Sequence, residues 1–372
     1  MKKHFLILLA ISLLSCEGRN SRMISFSVQD RLSGQTDVVE LACEPIDTVD
    51  IAIIGLEAEG LEAVRRLSSV KGARIKAIFD NRPDNLAKAQ VTLKEMEKAS
   101  PKEFSGDEEW RKICENDDID LVYICSPREL RSTIAVYAME NGKHVATEPP
   151  AALTIDQCWE LVNTAEKTRR HLFMLEKSCY EAYEMTTLNM AQQGFFGDIE
   201  SIERGSTNPT LGIGPAAQVL NIHRGDKMNY LLSVSGSNNI VIKTEKGKTI
   251  LVRYDSMFHQ TGIAPYNIFG SIALISKINK PDAAMDSLLL AYRHPILKEY
   301  GKKELLMDYR LIYCLKNGLP LDMDVYDAAE WSAIESLGKV SAENNGKPVS
   351  VPDFTRSSWD KVKGYKQYKN DR

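Results

Sequence analysis

Positive charge is not in excess in this sequence, and long apolar runs are scarce. The 372 residues include 47 Lys and Arg against 51 Asp and Glu, for a net charge of -4 and a pI near 6.0. A chain with this balance has no basic field to attract nucleic acid. The apolar run from Phe5 to Leu14 is too short for a comfortable membrane span. We therefore expect neither nucleic-acid binding nor a transmembrane helix.

Metal-binding cysteine patterns are also missing. None of the seven cysteines forms a Cys-x-x-Cys motif or a Cys/His cluster, so the sequence predicts no zinc or other metal site. Apart from Cys16, the cysteines lie in mostly apolar segments, which is typical of buried free thiols. These residues are Cys43, Cys114, Cys125, Cys158, Cys179 and Cys314.

The N-terminus has the order of a secretory signal peptide. Lys2 and Lys3 precede the apolar run, and Leu13-Leu14-Ser15-Cys16 follows it. This order matches a bacterial lipobox, so residues 1–16 predict a lipoprotein with Cys16 lipidated and held on a membrane of the cell envelope. The alternative is a plain signal peptide with an incidental cysteine. Residues 17–47 are polar and aperiodic, and we interpret them as a tether.

Strands and helices alternate over residues 48–170, which predicts a doubly wound parallel sheet. The predicted strands are Val49–Ile54, Arg74–Phe79, Leu121–Cys125 and His144–Thr147. Residues 171–360 are richer in turn residues, and strand patterns at 239–243 and 249–253 flank Gly247 as in a hairpin. The predicted fold is α/β: an N-terminal Rossmann domain followed by an α+β domain with an open, mainly antiparallel sheet.

A glycine motif follows the first predicted strand and opens a helix. Gly55 and Gly60 stand at its ends, and Asp80 follows about twenty residues later, where a carboxylate would bind the ribose hydroxyls of NAD. Glu57 replaces the middle glycine, and Glu59 adds a second carboxylate that would compete with a bound phosphate. The alternative is a Rossmann fold that binds no dinucleotide.

Several segments resemble known families. Residues 118–125 and 136–146 resemble the glucose–fructose oxidoreductase (Gfo/Idh/MocA) superfamily. The segments that resemble glycoside hydrolase family 109 are 158–171, 186–191, 218–227, 307–312, 317–327 and 352–356. This resemblance implies a glycosidase in which resident NAD oxidises a sugar carbon, the glycosidic group leaves by elimination, water adds and the hydride returns. The substrate it implies is an N-acetylgalactosaminide.

The resemblance also implies roles for individual residues. Tyr180 matches a tyrosine of the family and is the candidate catalytic residue, with a pKa expected to be lowered near nicotinamide. The implied cofactor-binding residues are Gly55, Glu59, Gly60, Asp80, Ser126, Arg128, Arg131, Glu148, Pro149 and Lys177. The implied substrate-binding residues are Asn208, Pro209, Thr210, Leu211 and Tyr266.

The sequence departs from the family pattern at several of these positions. Leu211 stands where the family has a catalytic histidine, and Lys177 stands where an asparagine is expected. A Tyr-Ile-His-Asp segment has no counterpart between Arg204 and Asn208. A histidine- and glycine-rich run before Met307 is also replaced. Since leucine cannot transfer a proton, these changes predict impaired catalysis.

Three functional hypotheses remain open from the sequence. The first is an NAD-dependent glycosidase, the second a sugar oxidoreductase, and the third a catalytically inactive relative that binds glycan at the cell surface. Pro149 disfavours the second, because the oxidoreductases of the superfamily have a lysine there. His223 is expected to be a local hydrogen-bonding residue, and family analogy suggests a homo-oligomer through the open sheet.

Overall fold

A computed structural model of the protein describes residues 23–207, 210, 212–233, 238–255, 266–276, 283–299 and 305–369. Its first part is a sheet of six parallel strands flanked by helices. The strands are β1 (Val49–Ile54), β2 (Ala73–Phe79), β3 (Lys102–Phe104), β4 (Leu121–Ile124), β5 (His144–Thr147) and β6 (Leu172–Met174). The helices are α1 (Ala58–Ser68), α2 (Pro83–Glu95), α3 (Glu109–Cys114), α4 (Arg131–Glu140) and α5 (Ile155–Thr168).

The strand order β3-β2-β1-β4-β5-β6 confirms the predicted doubly wound sheet. All six residues of β1 are buried, because helices cover both faces of a parallel sheet. The four predicted strands are present, whereas β3 and β6, with three residues each, were not predicted. β6 pairs with β5 and continues the sheet past residue 170, where the sequence had placed the domain boundary.

The second part contains a seven-stranded, mainly antiparallel sheet in the order β12-β11-β7-β10-β9-β8-β13. Its strands are β7 (Ile199–Ser206), β8 (Met228–Ser233), β9 (Asn239–Thr244), β10 (Thr249–Tyr254), β11 (Tyr266–Gly270), β12 (Leu274–Ser276) and β13 (Val349–Ser350). The β9–β10 hairpin is confirmed, and Gly247 between the strands has the positive φ of +80° that such a turn favours. Among the pairs of named strands in the described part of this sheet, β10 and β7 pair in parallel and the others antiparallel.

Six further helices accompany this sheet in the described residues. They are α6 (Ala182–Gln192), α7 (Ile213–Val219), α8 (Ala283–Ala291), α9 (Pro295–Glu299), α10 (Leu306–Asn317) and α11 (Val325–Glu343). α11 packs against both α5 and β8, so it lies between the two parts of the molecule. It begins at a capping box in which the Asp324 side chain accepts from the Asp327 backbone and Asp327 accepts from the Asp324 backbone.

The segment before β1 is packed, so its interpretation as a tether is wrong for the described residues 23–47. Ile24 forms a β-bridge with Val349. Val38 is 2% exposed, and its backbone N–H donates to the Tyr326 hydroxyl at 3.0 Å. Cys43 N–H donates to the Gly318 carbonyl at 3.3 Å. The segment therefore lies along both parts of the molecule. The polar composition of the segment does not indicate this packing, because backbone groups rather than apolar side chains supply many of the contacts.

A buried carboxylate on α5 binds side chains from distant parts of the chain. Glu166 is fully buried and accepts hydrogen bonds from Arg31, Tyr326 and Arg356. Its oxygens lie 3.1 Å from Arg31 Nη2, 2.7 Å from the Tyr326 hydroxyl and 2.7 Å from Arg356 Nη1. The N-terminal segment, α5, α11 and the C-terminal segment therefore meet at one side chain.

The remaining expectations on composition can be compared with the described residues. No helix in them is both long and apolar enough to cross a membrane. Their six cysteines are unpaired; Cys43 is half-buried and the others are buried, which agrees with the predicted free thiols. Cys16 lies outside the described residues.

We expect the substitution Glu166→Ala to destabilise the protein by about 3–5 kcal/mol, because it leaves the largely buried Arg356 and the partly buried Arg31 without their buried partner. Denaturant unfolding followed by circular dichroism measures this change. Glu160→Ala is the matched control, since Glu160 is exposed on the same helix. Equal midpoints for the two variants would contradict the assigned role of Glu166.

Candidate functional site

The glycine motif forms the turn between β1 and α1, and two of its glycines are sterically required. Gly55 has φ of +93°, and a Cβ atom there would lie 2.7 Å from the Cys125 carbonyl carbon. A Cβ atom on Gly60 would lie 2.0 Å from the Gly55 carbonyl oxygen. The loop therefore passes close to the end of β4, as a turn that brings backbone against a pyrophosphate requires.

Asp80, at the end of β2, braces this loop. Its Oδ2 accepts from Leu56 N–H at 2.7 Å, and its Oδ1 accepts from Arg82 N–H at 2.8 Å. Each carboxylate oxygen can accept a second hydrogen bond, so Asp80 retains capacity for ribose hydroxyls.

Glu57 forms an ion pair with Arg82, and Glu59 forms one with Lys177. The two carboxylates predicted to repel phosphate are therefore each beside a cation.

The ends of β4 and β5 carry the next set of predicted residues. Ser126 is 3% exposed and is the second residue after β4, and Glu148 directly follows β5. Arg131 ties the two ends together: its Nε donates to the Ser126 carbonyl at 3.0 Å and its Nη1 to the Pro149 carbonyl at 2.6 Å. Arg131 thus links the loop after β4 to the loop after β5. Arg128 forms an ion pair with Glu335 of α11 at 3.1 Å.

Glu148 is a buried carboxyl group with spare hydrogen-bonding capacity. The residue is 9% exposed, and its Oε1 has no hydrogen-bond partner in the structure. Burial raises its pKa from the usual 4.5 to about 7, against the opposing effect of the Lys177 charge. A carboxyl group with a pKa near 7 can both accept and release a proton at neutral pH.

A cleft with a cavity volume of about 340 Å³ opens beside Lys177. It lies between the end of β6 and the end of β7. Its walls are formed by residues 175–178 and 204–207 together with Glu59 and Gly212. Since ligands of doubly wound sheets bind outside the carboxyl ends of the strands, this cleft is the candidate substrate site.

Comparison with known proteins agrees with this geometry. Residues 49–176 match the family model for the oxidoreductase family with an NAD-binding Rossmann fold. Residues 236–361 match the model for the C-terminal domain of glycosyl hydrolase 109. Glycosyl hydrolase family 109 protein 1 of Bacteroides fragilis is 37% identical over 98% of this chain and 99% of its own length. The chain belongs to glycosyl hydrolase family 109.

Other family 109 proteins are equally similar. An alpha-N-acetylgalactosaminidase of Bacteroides fragilis is 39% identical over 88% of this chain and 96% of its own length. The alignment with family 109 protein 1 extends over 459 positions, more than the 372 residues of this chain. That relative therefore contains segments that this chain lacks.

Solved structures confirm the fold of this family 109 chain. Scyllo-inositol dehydrogenase from Lactobacillus casei with bound NAD(H) and scyllo-inositol has a TM-score of 0.63, covers 82% of this chain and 99% of its own, and is 15% identical. The WlbA dehydrogenase of Bordetella pertussis, in complex with NADH and UDP-GlcNAcA, also has a TM-score of 0.63, covers 83% and 99%, and is 13% identical. The cofactor of the Rossmann domain is NAD.

The environment of Tyr180 differs from the expectation. The residue is 2% exposed, and its hydroxyl donates to Asp322 Oδ2 at 3.0 Å. Arg310 binds the same carboxylate at 2.9 and 2.6 Å. Burial, together with the nearby Asp322 charge, raises the pKa of Tyr180 well above its usual value, so the expected lowering is wrong. Tyr180 does not line the cleft described above.

The predicted substrate-binding residues are only partly described. Asn208, Pro209 and Leu211 lie outside the described residues. Thr210 is fully buried, and its hydroxyl donates to Glu335 Oε2 at 3.4 Å. Tyr266 is also fully buried, with the Arg204 guanidinium 4.9 Å above its ring. The structure thus shows no exposed surface through which Tyr266 would contact a substrate.

Two charged residues of the cleft, Glu176 and Arg204, were missed in the sequence. Glu176 is buried: its Oε1 accepts from the Ser178 hydroxyl at 2.6 Å and its Oε2 from Gly212 N–H at 3.3 Å. Arg204 is buried and pairs with Glu184 at 2.8 Å. Glu176 adjoins the Lys177 position that the family comparison singled out, which was a usable signal. Arg204 gave none, since a single arginine in a strand is unremarkable in sequence.

The predicted local role of His223 is confirmed. Its ring nitrogens lie 3.3 Å from Asp327 Oδ1 and 3.0 Å from Glu330 Oε2. Burial acts to lower its pKa, but the Glu330 charge and the Asp327 hydrogen bond raise it to about 10. His223, Asp324 and Asp327 have a spacing that could hold a metal ion. Arg224 binds both Asp327 oxygens.

We expect Glu148 to make the stability of the cofactor-free protein depend on pH. Because the pKa of the folded state is raised, the stabilising contribution is present below the usual pKa of 4.5 and is lost as the pH rises through about 7. Relative to Glu148→Gln, the wild-type protein should lose about 3 kcal/mol of unfolding free energy over that interval.

Denaturant unfolding at a series of pH values measures this difference. Glu200→Gln serves as the control, because Glu200 is exposed. A constant difference between the wild-type protein and Glu148→Gln across the interval would show that Glu148 does not titrate as assigned.

Proposed function

We propose that this family 109, NAD-dependent glycosidase acts on N-acetylgalactosaminide-like sugars and that its activity is impaired. The observation that carries the proposal is a contrast between the cofactor turn and the candidate catalytic residue. The turn that receives the dinucleotide is sterically intact at Gly55 and Gly60. The candidate catalytic Tyr180 is instead held in a buried network with Asp322 and Arg310.

The residues at the sheet edge fit NAD. Two glycines leave room for backbone to approach the pyrophosphate, and a Cβ atom at either position would collide with the loop or with β4. Asp80 is placed to hold the ribose of the adenosine half. Glu148 presents a buried oxygen without a partner at the end of β5, on the side that receives the nicotinamide half.

The chemistry can be assigned to the chain's own groups. Bound NAD supplies reversible removal of a hydride from a sugar carbon. As the hydride leaves, Glu148 Oε1 can take the hydroxyl proton from that carbon, and the Lys177 ammonium can stabilise the charge on the sugar oxygen. A pair of carboxylates flanking the glycosidic bond, as in ordinary glycosidases, is not required.

The later steps are where this chain is expected to be slow. Elimination needs a base for the neighbouring C–H and a group that helps the leaving oxygen, and each such group contributes about 10²–10⁴-fold. Tyr180 has a raised pKa and is engaged by Asp322, so it is a poor base at neutral pH. Leu211 removes the histidine implied by the family pattern.

We expect the purified protein with added NAD to release nitrophenol from a nitrophenyl N-acetylgalactosaminide very slowly or not at all. Substituting Leu211→His alone should give little activity, because the segments missing from this chain are not restored. Absorbance of nitrophenol provides the measurement. Turnover on the order of 10 per second, an ordinary enzyme rate, would show that another residue replaces the lost groups.

The burial of Tyr180 also supports a second candidate, a catalytically inactive relative that binds glycan at the cell surface. The two candidates differ in whether a sugar reduces the bound cofactor. In an impaired enzyme, addition of the sugar should produce the absorbance of reduced nicotinamide even when no nitrophenol is released. In a binding protein, the sugar should bind without any change in that absorbance.

The N-terminus supports a further proposal, that Cys16 is lipidated and holds the protein on a membrane of the bacterial envelope. The Leu13-Leu14-Ser15-Cys16 order motivates it. We expect Cys16→Ser to move the protein from the membrane fraction to the soluble fraction and to abolish labelling with palmitate. A variant that still labels and stays with the membrane would overturn the proposal.

A further inference from the structure

Two ion pairs lie on the turn that receives NAD, and each contains a carboxylate that the glycine motif does not require. Glu57 precedes α1 and contacts Arg82, which precedes α2. Glu59 lies in the first turn of α1 and contacts Lys177, three residues beyond the end of β6. The first pair therefore joins neighbouring elements, whereas the second joins opposite sides of the sheet edge.

The sheet order determines what the second pair crosses. β4 and β5 lie between β1 and β6. With strands spaced about 4.8 Å apart, β1 and β6 are separated by roughly 14 Å. An ion pair between α1 and the segment after β6 must therefore pass over the ends of β4 and β5. Ser126 and Glu148 lie at those ends.

The electrostatics of Glu148 agree with this path. Its pKa is raised mainly by burial, lowered by the Lys177 charge and raised by the Glu59 charge. Both members of the pair are thus close enough to Glu148 for their charges to affect it. The adenosine half of a dinucleotide lies on the side of the acidic residue that binds its ribose, here Asp80 after β2. The nicotinamide half consequently lies on the β4–β6 side, which is the part the pair crosses.

We propose that the Glu59–Lys177 ion pair is a clamp that closes over the nicotinamide half of NAD and slows its release. The side chains of Glu59 and Lys177 are 54% and 43% exposed, so the pair is weak in the absence of cofactor and opens to admit it. Lys177 also neutralises the Glu59 carboxylate, which would otherwise repel the pyrophosphate at the start of α1. The clamp concerns cofactor retention, so it does not depend on whether the glycosidase is active.

The test is calorimetry of NAD and of AMP binding to the full-length protein, with stopped-flow measurement of NAD release. AMP occupies only the adenosine half. We expect Lys177→Met to weaken NAD binding roughly fivefold, the effect of losing an exposed ion pair, mainly through faster release. AMP affinity should fall less than NAD affinity, because the AMP phosphate meets only the uncompensated Glu59 charge and does not lose the clamp. Lys177→Arg should retain most of the NAD affinity, because the cation is kept.

The other pair supplies the matched control. Arg82→Met removes a cation beside Asp80, on the adenosine side, and should weaken AMP and NAD together. In the double variant Glu59→Gln, Lys177→Met the repulsion is gone, so affinity should partly recover while release stays fast. Thermal unfolding without cofactor checks that each variant is folded.

Three results would overturn the clamp. The first is unchanged NAD affinity and release in Lys177→Met, and the second is an equal loss of AMP and NAD affinity in that variant. The third is a wild-type protein that binds no NAD, which would also overturn the assignment of the cofactor. Turnover of the nitrophenyl glycoside at an ordinary enzyme rate, with normal NAD retention, would instead contradict only the proposed impairment of the glycosidase.

Discussion

The arrangement of the molecule depends on buried charge pairs between segments that are far apart in sequence. Glu166 binds side chains from the N-terminal segment, α11 and the C-terminal segment, and the Arg66–Asp308 pair joins α1 to α10 at 2.6 Å. A buried carboxylate is tolerable only when its partners are in place, so each pair fixes the relative position of the elements that supply it. These contacts connect the N-terminal segment, the C-terminal segment and four helices, α1, α5, α10 and α11.

The parts of the fold that sequence predicts well are those determined by neighbouring residues. β1 is a buried apolar run ended by a glycine, and the β9–β10 hairpin has its turn at Gly247, so local pattern suffices for both. β6 has three residues and no alternation to detect. The packing of residues 23–47 was missed for a different reason, since Arg31 finds partners up to 327 positions away and backbone groups supply many of the other contacts.

The same distinction separates the cofactor site from the catalytic site. Gly55, Asp80 and Glu148 could be predicted as site residues because each comes directly after a strand. Parallel strands bring their carboxyl ends to one edge of the sheet. The role of Tyr180 depends on Asp322, which is 142 positions away. The family resemblance assigned a catalytic role to the tyrosine, but its pKa is determined by burial and by a carboxylate that no local pattern reveals.

The charges at the dinucleotide turn show that the type of a residue alone does not determine its effect on phosphate binding. Glu57 and Glu59 predict repulsion of phosphate when they are taken singly. The structure gives each a cation, Arg82 from α2 and Lys177 from beyond β6, so the local charge is balanced. Lys177 departs from the family pattern, and Glu59 is an additional carboxylate in the glycine motif. The two residues belong together, because each charge compensates the other over the ends of β4 and β5. A substitution at either position therefore changes both the phosphate field and the contact over β4 and β5.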